Sequence, residues 1–548
     1  MLKAIATGTS NFKKLIESNS YYVDKTDIIE NLINDKKDVY MFPRPRRFGK
    51  SLFISMIDNF FNIEYKEENK DLFKDLKISK SNYYRDLSTR PIIKLDFKSL
   101  KQDNFEIMYL AYKEMIRELY SNKRYLLDIL SDDEKEIFNS FLYETATIDK
   151  YQKAIYILSY MLYKYYNRKV IILIDEYDVP IQQGYLKNFY EDIVSFIREV
   201  FSNSLKGNDN IEFAIMTGVL RVSKESLFSD LNNVKIYSIM NENYNEYFGF
   251  TTSETKELLE YYGLELNDDV KKMYDGYNFG GIEIYNPWSI LNYADDKKLE
   301  PFWVNTSGNE LIVNSIKNCD ENIKVVIEKL LVGSSVEFIY NDKVTYLDYN
   351  NLKSVNNILN LLFVSGYLTI DKTVIDEFGN KTSFVKLPND EVAYLFNNII
   401  FEILINDYKV SNEIIKNFCS GILNNDKKLM EKSLNKILPN ISYMDNSESF
   451  YHGYLLGLFS MFLNNKRFIV RSNRESGIGR FDIMIKASDN SKGMIIELKI
   501  TDSDMELEAI KGLNQIENKK YYQDLVNDGI KEIYKFAICF KDKECVVK

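Results

Sequence analysis

Two sets of residues in this chain have the types and spacing of phosphate chemistry. The first is Gly49-Lys50-Ser51, inside Phe42-Pro-Arg-Pro-Arg-Arg-Phe-Gly-Lys-Ser-Leu52. Here a glycine lets backbone approach an anion, a lysine reaches β- and γ-phosphates, and a serine at a helix N-terminus offers its hydroxyl to Mg²⁺. A partner stretch follows at Val170-Ile-Ile-Leu-Ile-Asp-Glu176, an apolar run of the kind buried parallel strands have, ending in two acids. Asp175 would hold Mg²⁺ through water, and Glu176 would polarise an attacking water. Thr217, just past the apolar run Ile211 to Met216, stands where a polar side chain senses a γ-phosphate. Arg221, four residues on, would add positive charge there or serve the fold alone. One position departs from the pattern G-x-x-x-x-G-K-[ST]: position 44 is Arg44, between Pro43 and Pro45. Arginine does not take φ > 0 as cheaply as glycine. A different phosphate cradle is therefore expected, with Arg46 or Arg47 contributing charge, and hydrolysis is the step this departure puts in question.

The second set is near the C-terminus, in Gly477-Ile-Gly-Arg-Phe-Asp-Ile-Met-Ile485 and Gly493-Met-Ile-Ile-Glu-Leu-Lys-Ile500. Asp482 opens one strand of a predicted hairpin; Glu497 and Lys499, two apart on the other, project from one face. Pairing that sets Asp482 beside Glu497 would bring two carboxylates and an ammonium together. Such an oxygen donor set suits Mg²⁺ or Mn²⁺, which would acidify a bound water and neutralise a phosphodiester transition state. Lys499 would orient the nucleophile or stabilise charge. An E-x-K also arises from the in/out alternation of any hairpin, so the following helix, Met505 to Leu525, matters. It is expected to carry Gln515, Lys519 and Tyr522 on a polar face, with Ala509, Leu513 and Ile516 inward. Glu448 or Glu475 would supply a third carboxylate.

The elements that must position these residues are legible in outline. Val39 to Phe42 reads as a strand feeding the loop, and Leu52, Ile54, Met56, Ile57 and Phe60 as the buried face of the helix after it. Before them, Tyr21 to Asp27 leads into a helix, Ile28 to Ile33, which Asp24 or Thr26 would cap, unless the segment touches a base or phosphate. Strands at Pro91 to Phe97, Val170 to Ile174, Ile211 to Met216 and Val234 to Ile239 alternate with helices Phe105 to Tyr120 and Lys150 to Tyr166. That alternation implies a parallel sheet covered on both faces. From Tyr247 polar helix formers take over; Thr251 with Glu254 has the capping-box spacing. Tyr274 to Gly281, Tyr285 to Ile290 and Phe302 to Gly308 read as aromatic turns used for packing. Residues 353–396 read helix (Val355 to Ser365), strand (Tyr367 to Ile370), turn, strand (Ser383 to Leu387), helix (Asp390 to Phe396). This is a candidate winged helix, though without a basic recognition helix. The expected organisation is a P-loop domain over 1–245, a helical lid-like region over 246–350, a winged-helix and linking region over 351–446, and an α/β domain over 447–548.

A length of 548 residues exceeds one core and gives roughly three or four units. A hydrophobic fraction of 45% with 28% charged residues is that of a soluble globular chain. The net charge of -10 excludes a basic sheath for nucleic acid. Any such contact falls to local clusters: Arg44, Arg46, Arg47 and Lys50, or Lys466, Arg467, Arg471, Arg474 and Arg480. The 4 cysteines form no metal-like pair and fit a reducing compartment, and the single histidine, His452, excludes a His-rich metal site. No leader-like apolar segment opens the chain and no membrane-length apolar run occurs, so a cytoplasmic protein is expected.

Both sites sit among further short motifs: Tyr22-Val-Asp-Lys-Thr26, Arg44-Pro-Arg-Arg-Phe-Gly-Lys-Ser51, Ile174-Asp-Glu-Tyr-Asp178, Thr217-Gly218 with Ser226-Leu-Phe-Ser229, Tyr274-Asp-Gly-Tyr277, Tyr285-Asn-Pro-Trp288 and Asn305-Thr-Ser-Gly308. Towards the C-terminus come Phe450-Tyr-His-Gly453, Ser472-Asn-Arg-Glu-Ser476, Arg480-Phe-Asp482 and Ile496-Glu-Leu-Lys499. With these, the chain resembles bacterial proteins that join an AAA-ATPase-like domain to a C-terminal PD-(D/E)XK nuclease-superfamily domain. The resemblance spans nearly the whole chain and makes Arg44 part of that family's own pattern. It implies ATP binding by Gly49, Lys50, Ser51, Asp175 and Glu176, and a metal site at Asp482 and Glu497 with Lys499, with Gln515 and Lys519 holding the scissile phosphate as nucleases of this kind often do. The leading expectation is an additional-strand P-loop ATPase that controls a Mg²⁺-dependent nuclease acting on nucleic acid, DNA in the first instance, as a monomer or homo-oligomer. The alternative is a nucleotide-regulated switch or binding protein whose nuclease-like domain is inactive.

Overall fold

The computed structural model describes residues 2–220, 231–303, 321–331, 333–341, 354–375, 377, 381–396, 411–440, 451–452, 455, 458–459, 468–472, 475–476 and 479–548. The chain forms two compact units, Met1–Ser307 with Phe338–Ser383, and Gly308–Glu337 with Phe384–Lys548. Among the described residues no helix is long and apolar enough to cross a membrane.

The first unit is built on five strands: β1 (Val39–Pro43), β2 (Ile92–Asp96), β3 (Val170–Asp175), β4 (Ile211–Gly218) and β5 (Val234–Ile236). They lie in the order β2-β3-β4-β1-β5, every neighbouring pair parallel. Every residue of β1 and β3 is buried, as strands covered on both faces require. The long helices are α1 (Ile28–Asp35), α2 (Lys50–Phe61), α3 (Phe105–Ser121), α4 (Ala154–Tyr166) and α5 (Tyr190–Leu205). The α2 face packs against the sheet through Phe53, Ile54, Ile57 and Phe60, in a cluster shared with Tyr40, Phe42, Ile171 and Ile215. Because β4 lies between β1 and β3, the ends of the loop strand and the acidic strand flank Thr217.

Several element boundaries differ from expectation. The helix placed over Lys150 to Tyr166 breaks at Lys153, whose N–H turns back to Lys150 and Tyr151, leaving a short helix Ile148–Gln152 before α4. Strand β5 stops at Ile236, where its pairing with Met41 ends. Asp24 and Thr26 do not cap α1. The Asp24 carboxylate accepts from the N–H and hydroxyl of Thr26 and from the Lys77 N–H, while the Thr26 hydroxyl accepts from the Ile78 N–H. Between them, Lys25 bonds the Glu246 carbonyl and the Glu254 carboxylate at 2.6 Å. Tyr22 to Thr26 is thus a clasp between distant segments of the unit.

Two of the expected aromatic turns are regular structure. After β6 (Phe250–Thr251) and α6 (Thr252–Tyr261), residues Tyr277–Phe279 and Ile282–Tyr285 form β7 and β8, an antiparallel hairpin to which β6 adds, and Pro287–Asp296 is helix α7. The capping box of Thr251 and Glu254 is present as expected. Farther on, Val355–Val364 is helical and Thr369–Ile375 and Lys381–Lys386 are strands, both shifted from the expected ranges; residues 390–396 are helical.

In the second unit, helices α8 (Asn412–Leu423) and α9 (Lys427–Ile437) cover one face of a mixed sheet. Its strands are β9 (Phe468–Ser472), β10 (Ile483–Ala487), β11 (Lys492–Ile500), β12 (Glu532–Lys541) and β13 (Glu544–Val547), in that order across the sheet. β11 and β12 run parallel and are joined through α10 (Met505–Lys519) and α11 (Gln523–Asn527); the other pairs are antiparallel. One helix was expected from Met505 to Leu525. It ends at Lys520, which is left-handed (φ 53°), and the N–H groups of Lys520 and Tyr521 fold back onto the carbonyl of Ile516.

Candidate nucleotide and phosphodiester sites

At the first site the backbone has the shape a phosphate needs. Arg47 (φ 69°) and Gly49 (φ 86°) are left-handed, and the residues between and after them are not. Such alternation turns successive N–H groups to one side as an anion-binding nest, at the N-terminus of the twelve-residue α2. The missing glycine at position 44 leaves no backbone strain there. Position 44 carries no positive φ; the demand falls on Gly49 and Arg47. For Arg47 that conformation costs about 1–2 kcal/mol.

Arg44 is instead wholly buried. It donates to the carbonyls of Pro43 at 2.9 Å, Tyr244 at 3.2 Å and Tyr237, and stacks on Phe248 at 4.8 Å and Phe279 at 5.8 Å. Burial draws its pKa down to about 9. It is a strut under the loop and makes no charge available to phosphate. Lys50 is also buried, its ammonium held by the carbonyls of Arg44 at 3.1 Å and Pro45 at 3.0 Å. Ser51 is the second residue of α2.

On the neighbouring strands, the Asp175 carboxylate accepts from the Thr217 hydroxyl and from the Glu176 N–H at 3.0 Å. Glu176 is left-handed (φ 55°), and burial raises its pKa against the opposing pull of Lys50 and Arg46. The structure therefore gathers Arg46, Lys50, Asp175, Glu176 and Thr217 with the loop. Arg221 and Ser226 to Ser229 lie outside the described residues.

Asp178, which sequence reasoning gave no role, is wholly buried. Its Oδ2 accepts from the N–H groups of Val219 at 3.0 Å and Leu220 at 2.8 Å, and the Tyr177 hydroxyl bonds the Leu220 carbonyl. Burial raises its pKa. A Cβ on Gly218 would fall 2.4 Å from Asp178 Oδ1, so only glycine fits beside it. The signal available in the sequence was a third acid two residues after Glu176.

Also missed was what holds the loop from outside. Four consecutive loop residues each meet a residue from later in the unit. Pro45 lies against Gly366, where a Cβ would come within 2.7 Å. The Arg46 carbonyl accepts from the Trp303 indole at 3.3 Å, the Arg47 guanidinium stacks 4.4 Å over Trp288, and Phe48 packs against Tyr277 and Phe279. Among the described residues the aromatic segments are packing devices as expected, and what they pack is this loop; residues 304–308 of the third segment lie outside the described residues.

At the second site strand register does the placing. In β10 and β11, Ile483 stands opposite Ile496, so one further step sets Asp482 opposite Glu497, as anticipated. Met494, Ile496 and Leu498 enter the core under α8 and α9, which leaves Glu497 and Lys499 on the other face with Ile495, towards α10. Glu497 is 2% exposed and pairs with the Lys499 ammonium at 2.8 Å. Asp482 Oδ2 accepts from the Leu498 N–H at 2.7 Å, and its place in the register is across from Glu497. Burial raises the Asp482 pKa. The Lys499 ammonium balances the buried Glu497, and an all-oxygen pair fits a hard divalent ion that completes its shell with water and substrate oxygens.

Helix α10 closes on this face through Gly512. A Cβ there would meet Ala537 Cβ at 3.0 Å, Lys499 Cγ at 3.5 Å and Glu497 Cγ at 3.7 Å. Gln515 donates to the Tyr521 hydroxyl at 3.0 Å and is half-buried; Lys519 is exposed in the last turn. Tyr522 does not share a polar helix face with them, since the break at Lys520 sets it under the Lys535 ammonium, 3.7 Å from the ring. Glu448, Lys466, Arg467 and Arg474 lie outside the described residues, and only the backbone is described for Glu475 and Arg480.

His452 is the residue missed here. It is 4% exposed, and its Nε2–H donates to the Asp482 carbonyl at 3.0 Å, a carbonyl being only an acceptor. Burial lowers its pKa, so the ring is neutral. The sequence marked it as the single histidine, 30 residues before Asp482, and as part of Phe450-Tyr-His-Gly453, without a role.

A parallel sheet with an extra strand between loop strand and acidic strand defines an additional-strand P-loop nucleotide-binding domain. A mixed sheet carrying D…E-x-K on a hairpin defines a PD-(D/E)XK-type domain. In agreement, residues 6–228 match the family described as predicted AAA-ATPase, and residues 446–548 match the PD-(D/E)XK nuclease superfamily. Residues 6–228 are therefore recognised as AAA-ATPase-like and residues 446–548 as belonging with the PD-(D/E)XK nuclease superfamily. It is also 24% identical over 530 residues to a protein of Azotobacter chroococcum mcd 1 described as an uncharacterized protein in the vnfD 5' region, covering 95% of this chain and 93% of that one.

Proposed function

We propose that this protein binds Mg²⁺-ATP at the loop and hydrolyses phosphodiester bonds of DNA at the C-terminal site, with nucleotide state controlling cleavage. The observation that carries the reading is Asp482 set by register opposite the buried Glu497, to which the Lys499 ammonium bonds at 2.8 Å. Asp482 and Glu497 would hold Mg²⁺ or Mn²⁺, which when bound supplies an acidified water and neutralises phosphate charge. Lys499 orients the attacking water or steadies the phosphorane-like charge, and Gln515 with Lys519 would steady the scissile phosphate. At the loop, Gly49, Arg47, Lys50 and Arg46 would take the phosphates, and Ser51 and Asp175 the Mg²⁺. Glu176 would polarise the hydrolytic water, with Thr217 fixing Asp175.

The second reading is a nucleotide-regulated switch with an inactive nuclease-like domain. It draws support from the acidic balance of the chain, a net charge of -10. The test is cleavage of plasmid and single-stranded DNA in Mg²⁺ or Mn²⁺, with and without ATP, by wild type, Lys50→Ala and Lys499→Ala. Cleavage that falls about a thousandfold in Lys499→Ala and changes with ATP only when Lys50 is intact supports the first reading. ATP binding without cleavage under any condition supports the second.

A further inference from the structure

The loop carries a strained residue where a phosphate cradle needs a left-handed one. Arg47 takes φ 69° with a full side chain, and such a conformation persists only where the surroundings over-determine it. We infer that Trp288, with Trp303, is a positioning residue for nucleotide: it holds Arg47 in the left-handed turn and so keeps the nest formed before phosphate arrives. This rests on the reading of the loop as a nucleotide site.

The contacts are specific to that task. The Trp288 ring lies 4.4 Å from the Arg47 guanidinium. It is itself braced, because its indole N–H donates to the Phe302 carbonyl at 3.1 Å and Gly8 lies flat against its edge, where a Cβ would approach to 3.0 Å. One residue earlier, the Trp303 indole fixes the Arg46 carbonyl; one residue later, Phe48 is wholly buried against Tyr277 and Phe279. The residues on both sides of Arg47 are thereby held, and the stack on Trp288 anchors the guanidinium of this otherwise exposed residue. Trp288 and Trp303 are the chain's 2 tryptophans, and both are spent on this loop.

If the inference is right, the cost of losing Trp288 depends on what stands at position 47. Glycine adopts this φ without strain, so it needs no clamp. Mg²⁺-ATP affinity is measured by titration calorimetry on the full chain for wild type, Trp288→Ala, Arg47→Gly, Arg47→Ala and the double variant Trp288→Ala/Arg47→Gly, with thermal melts alongside. Trp288→Ala is expected to weaken binding about tenfold in the wild-type background and less than about twofold in the Arg47→Gly background, the ratio following from the left-handed cost of a non-glycine residue. Arg47→Ala should bind more weakly than Arg47→Gly, although both lack the guanidinium. A Trp288→Ala loss of equal size in both backgrounds, or no loss at all, overturns the clamp while leaving the nucleotide reading intact. No binding by wild type overturns the nucleotide reading itself.

Discussion

The two candidate sites are positioned by different physics. At the loop, the chemical groups are backbone N–H vectors and a lysine, and their placement depends on side chains that never meet phosphate: Arg44 beneath, and Trp288, Trp303 and Phe48 with its ring partners outside. At the hairpin, the groups are side chains, and strand pairing alone sets Asp482 opposite Glu497 and both Glu497 and Lys499 on one face. A loop must be propped because glycine-rich or strained backbone has no conformation of its own to fall back on. A ladder of hydrogen bonds fixes two faces with no help. Remote substitutions should therefore be felt more at the loop.

The largest effect is expected from Arg44→Gly, which restores the glycine of the usual pattern. Three carbonyls would lose their donor and a large cavity would open, so unfolding by denaturant should show a loss of about 3–5 kcal/mol, with weaker ATP binding. A variant as stable as wild type that bound ATP more tightly would break the comparison, by making Arg44 a tolerated substitute and not a prop.

An intermediate effect is expected where the hairpin site does depend on packing. Gly512→Val forces α10 off Ala537 and off the stems of Glu497 and Lys499, and should cost roughly 1–3 kcal/mol in a thermal or denaturant melt. Gly512→Ala should be near neutral, because its gain in helix propensity of about 1 kcal/mol offsets one close contact with Ala537. Equal melts for valine and wild type would mean that α10 does not set this site.

The smallest effect concerns Asp178. Its pKa is raised by burial above the ordinary 3.8, so its folded form holds a proton more tightly than its unfolded form. That contribution favours the fold at pH below the ordinary value and is lost as pH rises through the raised one. Asp178→Asn keeps an acceptor for Val219 and Leu220 and removes the titration. The variant should melt no lower than wild type at neutral pH, and any advantage should vanish as pH falls below the carboxylate range. A variant less stable than wild type at pH 7 but not in acid would reverse that sign.

Much of both sites was legible in the sequence because it depends on local pattern. The run Val170 to Ile174 ending in Asp175 is a buried strand with its acids at the end, and the alternation Ile496, Glu497, Leu498, Lys499 fixes faces by period alone. What the sequence did not disclose depends on long-range contact. Nothing local says that Arg44 is buried under Tyr237 and Tyr244, about two hundred residues on. The rule that a missing glycine means a missing left-handed residue failed because Arg47 supplies that conformation, propped by Trp288. Likewise Asp24 and Thr26 have the look of helix caps, yet bond the backbone of Lys77 and Ile78. The helix read through Leu525 fails at Lys520, where no glycine or proline marks the stop. His452 drew notice by its rarity and its short motif but gained no role, since its partner is a main-chain carbonyl.

That rarity has a practical side. Both tryptophans lie on the phosphate loop, and the one histidine lies on the Asp482 carbonyl. The chain is in effect pre-labelled, with fluorophores at one site and a single imidazole resonance at the other. Selectively excited indole emission and one set of ring-proton signals can follow ligand arrival at each site separately, in a single sample with no added dye or isotope.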